Sequence, residues 1–308
     1  MSQILVVGSV ALDTLRTPFG EADDALGGSA VHFAAAAALF APVGLVGVIG
    51  SDYPVERLDF LVERGVDLSG LERAEGKSFR WGGEYGYDLS TRETLFTELG
   101  VFADFKPSIP DHLRTCKWLF LGNINPQLQL DVLDQVDGPD MVVCDTMNYW
   151  IDSERETLME LLGRVDLLLV NDEEIRQLSD DPNLYRAARW AQAQGPEHVV
   201  IKKGEHGAVL FSGDNLFFAP GYPLEEVFDP TGAGDAFAGG LVGHLARTGQ
   251  LDLDELKRAM VYGCAVGSFD CESFGPSRLQ TLTEQELGDR VRLFRDMMTF
   301  ELVPTIAG

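Results

Sequence analysis

Apolar and polar positions along the chain follow one repeating order for most of its length. Ile4–Val7 is a continuous apolar run that stops at Gly8, the pattern of a strand buried on both faces of a parallel sheet. The same signature returns at Val43–Ile49, Trp118–Leu121, Met141–Cys144, Leu167–Val170 and Val199–Lys202. Helical spacing fills the gaps: alanine-rich Ala30–Phe40, Pro54–Arg64, and segments near Gln127–Gln135, Ser153–Leu162 and Leu184–Gln194. Gly207–Ser212 and Leu216–Ala219 predict a hairpin around Gly213-Asp214, and long helices are expected near Ala233–Thr248 and Asp254–Ser268. Repeated βα units predict an α/β protein with a doubly wound, mainly parallel sheet covered on both faces.

Two stretches break this order. Leu12–Asp24 is polar and irregular, and Lys77–Phe105 carries Phe79, Trp81, Tyr85, Tyr87, Phe96 and Phe102 with alternation but no helical period. Both read as strands of a small second sheet, with an ordinary surface hairpin as the competing reading. No internal repeat, low-complexity tract or linker interrupts the chain.

A length of 308 residues with 45% hydrophobic content supports one large α/β domain or two small ones. The net charge of −25 argues against nucleic-acid or anionic-membrane partners, which need basic patches. It also means that any anionic ligand depends on a few local cations. A strongly acidic surface fits a high-salt setting as well, which a salt-dependent melting curve tests. The four cysteines form no Cys-x-x-Cys pair and no zinc spacing. No basic leader precedes Ile4 and no run is long enough to span a bilayer. A reduced, cytoplasmic protein is the expectation.

The most informative string is Asp229-Pro230-Thr231-Gly232-Ala233-Gly234-Asp235-Ala236-Phe237-Ala238-Gly239-Gly240. Three small residues open a helix whose free N–H groups and dipole suit an anion. Asp235 beside such a hole is suited to accept the proton of an attacking hydroxyl. A plain packed turn with a dipole-partner Asp is the alternative for Gly-Ala-Gly-Asp taken alone. Asn171-Asp172-Glu173-Glu174 follows the strand Leu167–Val170, where parallel sheets bind ligands; an acidic N-cap explains it equally. Lys202-Lys203-Gly204-Glu205-His206-Gly207 ends another strand, and either lysine suits phosphate unless this is a solvated turn. Gly27-Gly28 permits close backbone approach before the alanine-rich helix. Asn123, Asn125, Asp145 and Asn148 follow two further strands. There is no G-x-x-x-x-G-K-[ST] loop and no G-x-G-x-x-G after a strand.

The string from Asp229 to Gly240 resembles the signature of the ribokinase-like (PfkB) family of carbohydrate and nucleoside kinases. The remaining motifs follow in that family's order from Asp13 to Gly275. The resemblance implies a three-layer α/β/α ribokinase-like domain over 1–308, with a small β-sheet lid from segments about 12–24 and 77–105. It implies ATP and Mg²⁺ as cofactors, Asp235 as catalytic base, and the amides of Gly232, Ala233 and Gly234 as the cradle of the moving phosphoryl group. Asn171 and Glu174 match the family's Asn-x-x-Glu, which holds Mg²⁺ through water. Lys203, Gly204, Gly207, Thr231, Ser268 and Gly275 fall at the nucleotide side, and Asp229 and Thr231 at a site for a monovalent cation such as K⁺. Asp13, Gly27, Gly28 and Asn123 fall at the substrate side, with Trp81 in the lid, where aromatics stack on a sugar face or a base. His32 departs from the pattern, standing where many members carry a substrate-contacting Asn. A sugar-like acceptor is the leading expectation; a nucleoside acceptor, a non-catalytic sugar or nucleoside sensor, and a homodimer clasped through the lid stay open.

Overall fold

The computed structural model describes residues 3–89 and 91–299. In chain order the strands are β1 (Ile4–Val7), β2 (Ala11–Thr17), β3 (Gly20–Gly27), β4 (Val43–Ile49), β5 (Asp67–Arg73), β6 (Phe79–Tyr85) and β7 (Arg92–Glu98). They continue with β8 (Trp118–Leu121), β9 (Met141–Asp145), β10 (Leu167–Asn171), β11 (His198–Lys202), β12 (Ala208–Ser212) and β13 (Asn215–Ala219). The helices are α1 (Ser29–Ala37), α2 (Asp59–Glu63), α3 (Pro126–Leu133), α4 (Asn148–Ser153), α5 (Arg155–Leu162) and α6 (Asp172–Ser179). After them come α7 (Leu184–Gln192), α8 (Ala233–Thr248), α9 (Leu253–Asp270), α10 (Ser277–Thr281) and α11 (Glu284–Met298).

Nine strands form the main sheet in the order β13-β12-β11-β10-β9-β8-β1-β4-β5, parallel from β11 to β5, with the β12–β13 hairpin antiparallel at one edge. The apolar runs are continuous because successive side chains enter opposite cores. Ile4 and Val6 join one cluster with α1, α8 and α9, whereas Leu5 and Val7 join the other with α5, α6 and α7. This is the three-layer α/β/α arrangement expected from the pattern. Phe33 of α1 stacks on Phe120 of β8 at 4.2 Å and 5°, a contact worth about 0.5–1.5 kcal/mol beyond area burial.

The second sheet has the order β3-β2-β6-β7. Its central pair β2–β6 is parallel and its outer pairs are antiparallel. Two hydrogen bonds tie it to the loop before α8: Thr17 Oγ1 donates to the Phe228 carbonyl at 2.9 Å, and the Tyr85 and Thr231 hydroxyls lie 2.9 Å apart.

Several elements differ from the sequence pattern. Pro54–Arg64 folds as a 3₁₀ turn, Val55–Leu58, followed by the short α2. The helix expected near Ser153–Leu162 is α5, and the short α4 stands just before it without having been expected. β5 and α11 were not legible as apolar runs. β5 is an edge strand with no fully buried residue, and α11 is amphipathic, buried mainly through Leu287 and Phe294.

Candidate functional site

The carboxyl ends of the parallel strands lie together at one edge of the main sheet, where open α/β sheets bind ligands. Register places Asp145 beside Leu169, and Asn171 beside Lys202. Asp145, Asn171 and Lys202 therefore end three adjacent strands at the same edge. Lys202 Nζ donates to Asp145 Oδ2 at 2.7 Å. Its charge is kept by Asp145 and Glu174, which raise its pKa against the lowering effect of burial.

α8 begins at this edge. Its N-cap is Gly232, with φ 80, and no side chain caps it. First-turn amides have no intrahelical acceptor; here the Ala233 amide donates back to the Pro230 carbonyl at 3.4 Å. A Cβ on Gly232 would lie 2.2 Å from His32 Nδ1, so the turn needs glycine for its left-handed φ and for the ring beneath it. A Cβ on Gly234 would meet Lys202 Nζ at 3.1 Å, placing the ammonium beside the same turn. Packing of α1 on α8 brings His32 there, because alanines on α1 face Gly239 and Gly243 of α8 closely.

Asp235, third residue of α8, is buried, and its Oδ1 has no hydrogen-bond partner. Burial and the neighbouring Asp145 push its pKa up to about 7, against the attraction of Lys202 and His32. Asp13, on β2, is likewise pushed up to about 7 by burial. Gly27 gives it room, since a Cβ there would lie 2.0 Å from Asp13 Oδ2. Trp81 pairs with Asp13 across β2–β6, so the two side chains share a face of the small sheet. Arg92 lies 5.2 Å from the Trp81 ring centre.

The Asn171–Glu174 segment is a capping box. Asn171 Oδ1 accepts from the Glu173 and Glu174 amides, and Glu174 Oε2 accepts from the Asn171 amide at 2.7 Å. The acidic N-cap reading therefore describes this geometry. Glu174 is also buried beside Lys202 and Asp145, with its pKa pushed up to about 7 by that burial.

Other sequence-derived positions are engaged in holding the fold. Asp229 Oδ1 accepts from the Thr231 amide and Oδ2 from the Gly275 amide, joining the loop before α8 to the chain after α9. Asn123 Oδ1 accepts from Trp150 Nε1 at 3.0 Å. Ser268 Oγ donates to the Ala265 carbonyl and accepts from Arg290. The Lys203 amide donates to the Gly207 carbonyl across the turn containing Gly204. Gly28 caps α1, as Gly232 caps α8. Of the two lysines it is Lys202 that reaches Asp145 at the strand ends. The sequence did not single out Asp270, which pairs with His32; Tyr85, one of the aromatics of the second stretch, meets Thr231. Nothing local marks Asp270, which lies 238 residues from its partner. Among the described residues, no three His, Cys, Asp or Glu side chains converge as a ready-made metal cage, and no helix is long and apolar enough to cross a membrane.

Comparison with known proteins gives this geometry its context. A family model described as pfkB family carbohydrate kinase matches residues 129–282. A cytidine kinase of Thermococcus kodakarensis is 34% identical over 253 residues, covering 80% of this chain and 90% of that protein. An E. coli protein described as a ribokinase II, solved with ATP and Mg²⁺, matches with a TM-score of 0.77 at 20% identity, over 95% of this chain and 100% of that one. A Burkholderia thailandensis nucleoside kinase in complex with inosine matches with a TM-score of 0.74 at 20% identity, over 94% and 98%. The two solved structures speak for the fold.

Proposed function

This chain belongs to the pfkB family of carbohydrate kinases, phosphotransferases that act on sugar or nucleoside hydroxyls, and from that premise we propose that it moves the γ-phosphate of ATP to a nucleoside hydroxyl with Asp235 as general base. The observation that carries the reading is a buried carboxylate with an unpartnered oxygen, third in a helix whose first turn has no side-chain cap. A pKa near 7 suits a base that must accept a proton at neutral pH. The amides of Gly232, Ala233 and Gly234 face the equatorial oxygens of the moving phosphoryl group. Lys202, held by Asp145 beside Gly234, adds a local cation to this turn.

Oxygen donors suit Mg²⁺, which keeps most of its waters and needs few protein ligands. Asp145 and Asn171, at the ends of β9 and β10, and Glu174, in the first turn of α6, supply such oxygens, so the donor set fits. The ion, when bound, offsets phosphate charge. The E. coli relative solved with ATP and Mg²⁺ supports the same cofactors here.

On the acceptor side, Asp13 accepts hydrogen bonds from substrate hydroxyls. The small sheet covers them, and Trp81 on the Asp13 face offers a surface for a base. The sequence favoured a sugar by a narrow margin. The cytidine kinase likeness moves the proposal to a nucleoside, the alternative that the sequence had kept open.

The test is ADP release from ATP and Mg²⁺ with a panel of pyrimidine nucleosides, purine nucleosides, ribose and hexoses. Nucleoside-dependent release with sugars inert is the expected result. Release with sugars alone would overturn the acceptor, and no release with any acceptor would favour a sensor.

A further inference from the structure

The loop before α8 is held from two sides. From the body of the protein, the Cys271 carbonyl accepts from the Phe228 and Asp229 amides, at 2.9 and 3.4 Å. Asp229, 1% exposed, accepts the Gly275 amide on one carboxylate oxygen and the Thr231 amide on the other, at 2.9 and 2.8 Å. From the small sheet, Thr17 at the end of β2 donates to the Phe228 carbonyl, and Tyr85 at the end of β6 meets the Thr231 hydroxyl, both at 2.9 Å. Phe19, in the β2–β3 turn, packs against Phe228 with ring centres 6.0 Å apart. Thr231 therefore has its amide bonded to the body and its hydroxyl to the small sheet. The next residue is Gly232, whose left-handed φ of 80 starts α8.

The same two strands carry the acceptor side. Asp13 pairs with Trp81 and Leu15 with Gly83 along the parallel β2–β6 register. Side chains alternate along a strand, so Asp13, Leu15 and Thr17 share one face with Trp81, Gly83 and Tyr85. Asp13 and Trp81 lie near the start of these strands, and Thr17 and Tyr85 stand at their ends, about 13 Å further along. Gly83, between Trp81 and Tyr85, lies under the indole ring, as a Cβ there would be 2.1 Å from Trp81 Cη2. Tyr85 is 8% exposed, and a buried hydroxyl that loses its partner costs more than an exposed one. Thr17 grips the loop further back, at Phe228, whereas Tyr85 grips the residue adjoining Gly232.

We propose that Tyr85 is a positioning residue for the Gly232–Gly234 turn, and that its bond to Thr231 couples acceptor binding under the small sheet to nucleotide binding at that turn. This rests on the reading that Asp13 and Trp81 hold the acceptor while the turn holds the phosphate. Tyr85 transfers no proton in the reaction. An acceptor bound at Asp13 and Trp81 holds β2 and β6 in place, and the far end of β6 holds Thr231. The turn is then ordered before ATP arrives, so the second ligand gives up less conformational freedom. Such coupling is reciprocal, each ligand raising the affinity of the other by the same factor.

Calorimetric titration of the full chain measures this coupling. The Kd of AMP-PNP with Mg²⁺ is taken without and with a saturating nucleoside of the ADP-release panel, in the wild type, Tyr85→Phe and Thr231→Ser. The wild type should bind the nucleotide about threefold to tenfold more tightly when the nucleoside is present, the span of one hydrogen bond. Tyr85→Phe keeps the ring and removes only the hydroxyl, so the nucleoside should no longer tighten nucleotide binding, while nucleoside affinity without nucleotide stays at the wild-type value. Thr231→Ser keeps a hydroxyl and should keep the coupling. The same coupling in the wild type and Tyr85→Phe overturns the proposal, even if the variant melts lower, because the bond would then serve the fold alone. A wild type that shows no coupling overturns it as well. A wild type that binds no nucleoside refutes the nucleoside reading instead, and the coupling is then measured with the sugar that supports ADP release.

Discussion

Two helix starts carry an acid at the same position with opposite fates. In α11, Glu286 stands third after the N-cap Thr283; in α8, Asp235 stands third after Gly232. Glu286 completes a capping box, accepting from the Thr283 hydroxyl and amide and from Arg278, and these bonds draw its pKa down to about 2. Asp235 is buried with one oxygen unpartnered, and burial drives it up to about 7. The dipole of the helix favours an anion in both. Desolvation decides between them, because it penalises charge by more than a helix end returns. A carboxylate paired with its own helix stabilises the fold. One held apart from it keeps an oxygen without a partner, as the proposed base requires.

Exchange of each acid for its amide should separate the two roles most sharply. Asp235→Asn is expected to keep the fold and lose about 10²–10⁴-fold or more in kcat, whereas Glu286→Gln keeps wild-type turnover; steady-state ADP release checks both. Comparable activity in the two variants would erase the distinction. Gly232→Ala tests the uncapped turn. The left-handed φ of 80 and the His32 ring leave no place for a methyl group. Destabilisation of about 1–3 kcal/mol by denaturant titration is expected, with loss of nucleotide affinity by calorimetry.

Stability against pH gives the mirror image at smaller amplitude. Asp235 has a raised folded pKa, so its contribution is intact below the unfolded value near 4 and is lost as pH rises through about 7. Asp235→Asn should therefore melt above the wild type at pH 8, by up to about 4 kcal/mol, with the gap closing towards pH 4. Glu286 has a lowered folded pKa, so its contribution is present above the unfolded value and is lost as pH falls towards 2. Glu286→Gln should melt slightly below the wild type at pH 7, with that gap closing near pH 2. Calorimetric scans across this range check both signs.

The strand–helix alternation was legible because β1, β4, β8, β9 and β10 are buried on both faces and so read as unbroken apolar runs. β5 was not, because an edge strand with the sequence DLSGLER needs no apolar face of its own. The family was legible in the Asp229–Gly240 string, since close backbone approach and an anion-facing helix start demand those small residues in order. Side-chain partners were harder. Lys202 and Lys203 are equivalent as neighbours in a sequence, and only the end of β11 sends the first to Asp145, 57 positions away. His32 was visible as a departure from a pattern, but its partner is Asp270, which no local signal connects to it.

The central claim is that the Gly232–Gly234 turn receives the phosphoryl group while Asp235 faces the acceptor hydroxyl. A crystal structure with ADP, Mg²⁺, aluminium fluoride and a nucleoside tests it most directly. The account predicts the fluoride within about 3 Å of those amides, and the acceptor hydroxyl within hydrogen-bond reach of Asp235. A fluoride bound away from the turn, or a hydroxyl facing another residue, would contradict it.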